Sequence, residues 1–151
     1  MAWSLRAAEP ADAEALIATL IEAFEGYRAF APPTWNPPDE GRQLERFRGE
    51  IEDPDAFTLL AEGAGHVHWV PLGDPVDIHL RHLFVRPAYW GTGLARELHA
   101  AAVEAMRGRS ARLFTPAGHG RARRFYEREG WTLHAELEDE HFGMPLAEYR
   151  R

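Results

Sequence analysis

The chain has 151 residues, 45% of them apolar and 27% charged, a size and balance suited to one globular domain that folds unaided. It contains no cysteine and no lysine, which excludes disulfides, cysteine-ligated zinc, a cysteine nucleophile, a Schiff-base lysine and a P-loop lysine. Its 17 basic residues, all arginine, face 24 acids, and the net charge of −7 argues against a nucleic-acid partner and sits more easily with a neutral or cationic small molecule.

Residues 4–8 form a short predicted strand. Pro10 and Asp12 then open a helix in which Leu16, Ile17, Leu20, Ile21 and Phe24 recur at helical spacing, and Gly26 stops it. Phe30 to Gly41 is a stiff loop with four prolines, and a second helix over about 40–51 presents Leu44, Phe47 and Ile51 before Pro54. The period then changes to two. Strands are predicted over 57–62 and 66–70 around Gly63-Ala64-Gly65, with Val67 and Trp69 on one face, and a third over about 77–85. The pattern at 93–107 is a helix with a small-residue face at Ala101, Ala102 and Ala105. A strand near 111–115, a helix near 120–129 and strands near 131–137 and 140–147 complete the chain. Hairpins imply antiparallel pairing in the first part, and strands separated by helices imply parallel pairing after it. No apolar run reaches the roughly 20 residues of a membrane span. The stretch Met1 to Pro10 lacks a basic start and a cleavage site, so the expected location is cytoplasmic, away from membranes.

The strongest chemical signal is the strand-to-helix junction Leu83-Phe84-Val85-Arg86-Pro87-Ala88-Tyr89-Trp90-Gly91-Thr92-Gly93-Leu94-Ala95. Glycines let the backbone approach a ligand, and the free N–H groups of a first helical turn make an anion site. A P-loop is excluded for want of lysine, and a dinucleotide fingerprint would need a third glycine. The second signal is His119-Gly120-Arg121-Ala122-Arg123-Arg124-Phe125-Tyr126-Glu127-Arg128-Glu129-Gly130-Trp131, a helix closed by Gly130 in which adjacent Phe125 and Tyr126 cannot both enter one core.

Together the two segments resemble the GCN5-related N-acetyltransferase (GNAT) superfamily. Its pyrophosphate motif, Gln/Arg-x-x-Gly-x-Gly/Ala after Val-x-Pro, is similar to Val85-Arg86-Pro87 followed by Trp90, Gly93 and Ala95, with Trp90 in place of Gln or Arg. Its later motif, Asn-x-x-Ala-x-x-Phe-Tyr-x-x-x-Gly-Phe/Trp, is matched by Ala122, Phe125, Tyr126, Gly130 and Trp131, with His119 in place of Asn. The order of elements is similar from end to end.

The resemblance implies a single acyltransferase domain over 1–151, an α/β fold whose mixed sheet of about seven strands is flanked by about four helices. It implies acetyl-coenzyme A as the acyl-donor cosubstrate, an amine of a small molecule or peptide as acceptor, transfer within a ternary complex, and no metal. Dimers are frequent among such proteins, so a homodimer stays open. The pyrophosphate donors would be backbone amides of Gly91, Thr92, Gly93, Leu94 and Ala95. The thioester carbonyl would be met by an N–H among Leu83, Phe84 and Val85, and His119 and Tyr126 would also touch the cosubstrate. Tyr126 stands where many relatives carry the acid that protonates the departing thiolate, and His79 stands where a Glu often serves as base. Plain alternation puts His79, Arg81 and Leu83 on one strand face and Leu80 and His82 on the other, unless a bulge intervenes. His79 would then act neutral, in a pH limb between about 6 and 8. Tyr89 and His82 are spare candidates.

Other features have two readings. Arg121, Arg123, Arg124 and Arg128 either meet the 3′-phosphate of coenzyme A or form a solvated face. Four acids within 136–140 either favour a cationic acceptor or decorate a hairpin, and Trp35 lies in a loop that borders the acceptor site in relatives. Two rivals stand beside transfer. One is a non-catalytic acyl-coenzyme A sensor or interaction module. The other is a metalloprotein using His66-x-His68, His79 and His82.

Overall fold

A computed structural model describes residues 3–151; Met1 and Ala2 of the N-terminal stretch lie outside the described residues. Seven strands form one sheet in the order β1-β2-β3-β4-β5-β7-β6. They are β1 Leu5–Ala7, β2 Phe57–Ala61, β3 Gly65–Pro71, β4 Ile78–Val85, β5 Ala111–Pro116, β6 Thr132–Leu137 and β7 Leu146–Arg150. Helices α1 Ala13–Gly26 and α2 Glu40–Glu52 pack on one face, and α3 Leu94–Met106 and α4 Gly120–Arg128 on the other. This is the mixed α/β fold expected. No helix among the described residues is long and apolar enough to cross a membrane.

Local chemistry places the elements. The Asp39 carboxylate accepts the Arg42 amide at 2.9 Å and caps α2, a contact typically worth about 1 kcal/mol. Leu16, Ile17, Leu20 and Phe24 of α1 meet Phe47 of α2 and Leu60 of β2 in one core. Leu94, Leu98, Ala102 and Met106 of α3 meet Val67, Trp69, Ile78 and Leu113 in the other, where the small Ala102 lets the Trp69 indole donate to its carbonyl at 3.0 Å.

Two expectations need correction. The last strand runs over 146–150, not 140–147, because Gly143 with φ of 86° and Pro145 break it. The Gly143 amide donates to the Asp139 carbonyl and the Phe142 amide to the Asp139 carboxylate, so the segment is a turn. Its Phe142 carbonyl accepts the Trp35 indole N–H at 2.7 Å, pinning the proline loop and fixing buried Trp35 as a structural residue. Parallel pairing is also confined to β4 and β5, since β7 returns antiparallel between β5 and β6.

Two irregularities near the centre of the sheet decide what it can do. First, β4 and β5 pair only at Ile78 with Ala111, His79 with Arg112 and Leu80 with Leu113. Beyond Leu80 they diverge. Second, Leu80 faces Trp69 of β3 while His82 faces His68, so Arg81 is an extra residue, a β-bulge. The Ile78 amide donates to Ser110 ahead of β5, whereas the Arg86 amide donates to Ala64 on the β3 side. An unbroken strand would turn both the same way. The bulge therefore reverses the parity, leaving the N–H groups of Leu83 and Val85 facing the gap.

The side chains reverse with it. Leu83 and Val85 join Ile78 and Leu80 on the α3 face, while Phe84 packs with α1. His79 and His82 end up on the same face, contrary to plain alternation. His82 lies edge-on to Phe47 of α2, His79 beside Phe114, and Arg81 pairs with Glu50 of α2.

Candidate active site

The divergence of β4 from β5 opens a cleft of about 660 Å³ that is bounded by α1, the turn before α3, and α4. Leu83, Phe84 and Val85 form one wall and Leu113, Phe114 and Thr115 the other. The wall on β4 is polar in an otherwise apolar setting, because its two turned-out amides have lost the strand that would have paired them.

At one end lies the turn before α3. Gly91 and Gly93 have φ of 77° and 85°, a conformation costly for any side-chain-bearing residue, and a Cβ at either would meet open space. Among the described residues the amides of Gly91, Gly93, Ala95 and Arg96 find no acceptor. They sit at the positive end of a 13-residue helix. Gly91, Gly93, Leu94 and Ala95 line the cleft; Thr92 does not. Its hydroxyl instead donates to the Tyr89 carbonyl at 2.6 Å and stands 3.4 Å from the Leu94 amide, bracing the turn.

Trp90 takes a course that the sequence did not suggest. Half exposed, it donates its indole N–H to the Val85 carbonyl at 2.8 Å and carries the Arg121 guanidinium 3.6 Å from its ring centre. One side chain thus links β4 to α4 across the cleft. The arginines of α4 divide accordingly. Arg121 stacks on Trp90, Arg123 is committed to Glu136, the Tyr149 hydroxyl and the Ala117 carbonyl, and Arg128 lines the cleft.

Phe125 and Tyr126 both reach the cleft, Phe125 by resting edge-on against His99 of α3 and Tyr126 by packing against Trp131 and Tyr149. The Tyr126 hydroxyl has no hydrogen-bond partner among the described residues, and burial pushes its pKa up, so it keeps its proton. Tyr27, at the end of α1, lies close enough for a charge on Tyr126 to raise its pKa further beyond the effect of burial. His119 lines the cleft between Tyr27 and Phe30, and burial and Arg121 lower its pKa. Sequence reasoning missed Tyr27. The signal is the apolar stripe Leu20, Phe24, which continues past the end of α1 at Gly26 into the turn that follows.

His79 does not line the cleft. It stands before the bulge and faces Arg112 and Phe114, on the side opposite Leu83 and Val85, and burial together with Arg81 and Arg112 lowers its pKa to about 3. It is a poor proton acceptor, and a pH limb between 6 and 8 is not its signature. His82 and His66 are buried beneath Phe47 with pKa values also pushed down by burial, and His66 Nε2 approaches His82 Nδ1 at 3.3 Å. His68 pairs with Glu50 at 2.9 Å. Among the described residues no group of three His, Asp or Glu side chains is placed to hold a metal ion. Tyr89 lines the cleft and meets Trp3 edge-on.

The profile of the acetyltransferase (GNAT) family matches residues 20–131, which span the second half of α1, the divergent strands, both cleft helices and Trp131. The chain belongs to this family. Its mycothiol acetyltransferase from Streptomyces avermitilis is 33% identical over 136 residues, 89% of this chain but 42% of that protein, so the chain spans less than half of its relative's length. Two solved structures share the fold across the whole chain. Ard1 from Thermoplasma volcanium aligns with a TM-score of 0.75 at 16% identity, over 100% of this chain and 97% of its own. The PaiA N-acetyltransferase from Thermoplasma acidophilum, solved with coenzyme A, aligns with a TM-score of 0.72 at 17% identity over the full length of both. GNAT proteins transfer an acetyl group from acetyl-coenzyme A. The site suits such a cosubstrate, with a glycine turn offering unpaired amides to a diphosphate and a gap offering two more to an extended thioester arm.

Proposed function

We propose that the chain, as one domain over 1–151, is an N-acetyltransferase that passes an acetyl group from acetyl-coenzyme A directly to an amine bound in the same complex. The observation that carries this reading is the gap between β4 and β5. It is lined from the α3 face of the sheet and, on the opposite face, from α1, so a thioester entering beside α3 and an amine entering beside α1 meet at one point without a covalent enzyme intermediate. The chain has no cysteine for such an intermediate.

Each residue then has a task. The amides of Gly91 to Ala95 bind diphosphate at the start of α3, aided by its dipole. The amides of Leu83 and Val85 hold the thioester arm, and one of them donates to the thioester oxygen as negative charge grows on it. Phe84, His119 and Leu94 shape the channel and exclude water. As the amine nitrogen bonds to the acetyl carbon, the carbon–sulfur bond breaks and the sulfur takes the Tyr126 hydroxyl proton. The proton released by nitrogen leaves to water in the cleft, and Tyr126 recovers its own from the same source. His79 has no part in these steps.

The test is a panel of amines with acetyl-coenzyme A, following free thiol and acetylated product by mass. Product that appears with stoichiometric thiol supports the reading. Tight coenzyme A binding without product from any amine would replace it by a non-catalytic acyl-coenzyme A sensor.

A further inference from the structure

Between the cleft and α2, on the face of the sheet that α1 and α2 cover, the local charge runs against the −7 of the chain. Arg46 of α2, Arg81 of β4 and Arg112 of β5 all lower the pKa of His79 and so surround it. Glu50 is the acid among them, bound by Arg81 at 2.8 Å and by His68 at 2.9 Å, with Arg46 only 4.0 Å away. Neighbouring Arg150 is committed to Glu148 at 2.7 Å. Arg112 pairs with no carboxylate among the described residues. Its guanidinium lies 4.9 Å from the Phe114 ring centre and touches His79 Nδ1 at 3.5 Å. Three guanidinium charges thus meet one carboxylate, Glu50, and Arg112 is the arginine of the three with no carboxylate partner among the described residues.

The register puts these arginines at the fork. Arg112 stands opposite His79, one rung before the last pair, Leu80 with Leu113. Arg81 is the first residue past that pair and lines the cleft, as does Phe114 next to Arg112. The cleft's own carboxylates are spent: Glu22 pairs with Arg86 at 3.2 Å and Glu129 with Arg96 at 3.3 Å. Nothing there is free to receive a second ammonium group, whereas Arg81 lines the cleft and the unpaired Arg112 guanidinium lies behind it against the cleft residue Phe114.

We propose that the acceptor is an amine carrying an oxyanion, a carboxylate or a phosphonate-like group, a few bonds from its nitrogen, and that Arg81 and Arg112 are the residues that select it. This rests on the transfer reading above. A guanidinium fork matches an oxyanion in two parallel hydrogen bonds, which a point charge cannot do. From the Leu80 rung to the Leu83 amide is three strand residues, roughly 10 Å, and an arginine side chain spans much of it. The same positive field disfavours the ammonium form of the incoming amine and so helps present it neutral.

The experiment uses the full chain with ω-amino carboxylates of two to six carbons, their carboxamides, and aminoalkylphosphonates of matching length. Calorimetry on the protein loaded with coenzyme A reads binding, and thiol release from acetyl-coenzyme A reads transfer. At least one anionic member binds and reacts about tenfold better than its amide. Arg112→Gln removes that preference through KM rather than kcat, and Arg112→Lys restores part of it. Coenzyme A affinity and the melting temperature of each variant separate this from misfolding. Amides that bind and react as well as the anions, or a preference that survives both Arg112→Gln and Arg81→Gln, would overturn the inference and leave transfer standing. Selective binding of anions with no acetylated product would keep the inference and remove the transfer reading. If no member of the panel binds, the inference fails.

Discussion

The two faces of the sheet meet the same gap but are built from different materials. The α3 face works with backbone: unpaired amides at the glycine turn, two more on β4, and a single tyrosine hydroxyl. The α2 face works with side chains, three arginines and four histidines arranged around one glutamate, Glu50. A backbone site serves a cosubstrate shared by a whole family, because its geometry survives most substitutions. A side-chain site can be changed one residue at a time, which suits the half of the reaction in which relatives differ.

This contrast can be broken most sharply at Tyr126, the one side-chain hydroxyl assigned a step on the backbone face. Tyr126→Phe keeps the ring against Trp131 and removes only the proton, so kcat should fall about a hundredfold with coenzyme A affinity unchanged. A wild-type rate would remove Tyr126 from the step. At the turn, Gly93→Ala should weaken coenzyme A binding about tenfold in calorimetry. Because any side chain at its φ of 85° is strained, Gly108→Ala is the matched control. Gly108 has φ of 76° and open space beside it but stands past the far end of α3, so its variant should share the strain and keep the affinity. Equal losses would mean that strain alone is being measured.

The α2 face should show itself in stability. His66 titrates near 3 in the fold and near 6.5 when unfolded, so the unfolded chain binds more protons between those values. Its contribution is complete above about pH 6.5 and is lost as pH falls toward 3, at about 1.4 kcal/mol per pH unit while only the unfolded form is protonated. Urea titrations at pH 6.5, 5.5 and 4.5 should show at least this slope, since His79 and His82 add to it, and His66→Leu should reduce it by the share of one group. The smallest effect is expected at His79. With its pKa near 3 it is neutral at every working pH, so His79→Gln should keep the rate within about twofold. The rising limb of the pH profile should move with the basicity of the acceptor amine. A limb near pH 7 that ignores the amine and vanishes in His79→Gln would return the base to His79.

The same contrast explains what the sequence revealed. The two glycines and the helix behind them are legible because a backbone site needs residues that few other roles demand, and Phe125-Tyr126 is legible through its resemblance to the family's later motif. The fold was legible in its periodicities, and failed at 140–147 where Gly143 and Pro145 were read through rather than heeded. The α2 face was hidden. Nothing in the run Ile78 to Val85 announces that Arg81 is surplus, since a bulge is a property of two strands and only one is written in any local stretch. Once the count is wrong by one, His79 points into the cleft on paper and away from it in space. Net charge is silent on this for a related reason: acids dispersed over the surface outnumber the arginines and hide three that converge.

Arg81 also makes β4 sensitive to counting in a way that side-chain chemistry does not capture. Replacing any residue from Leu80 to Val85 changes what a position carries but leaves each peptide facing the side it faced before. Deleting Arg81 would remove the bulge but leave seven steps between Ile78 and Arg86, so their amides would still face opposite sides and the Leu83 and Val85 amides would still face the gap. Straightening β4 at its present length would instead turn those two amides toward β3 and slide the pairing of His82 to Val85 by one residue. The polar wall therefore depends on where this strand sits against its neighbour, and not only on which residues it carries.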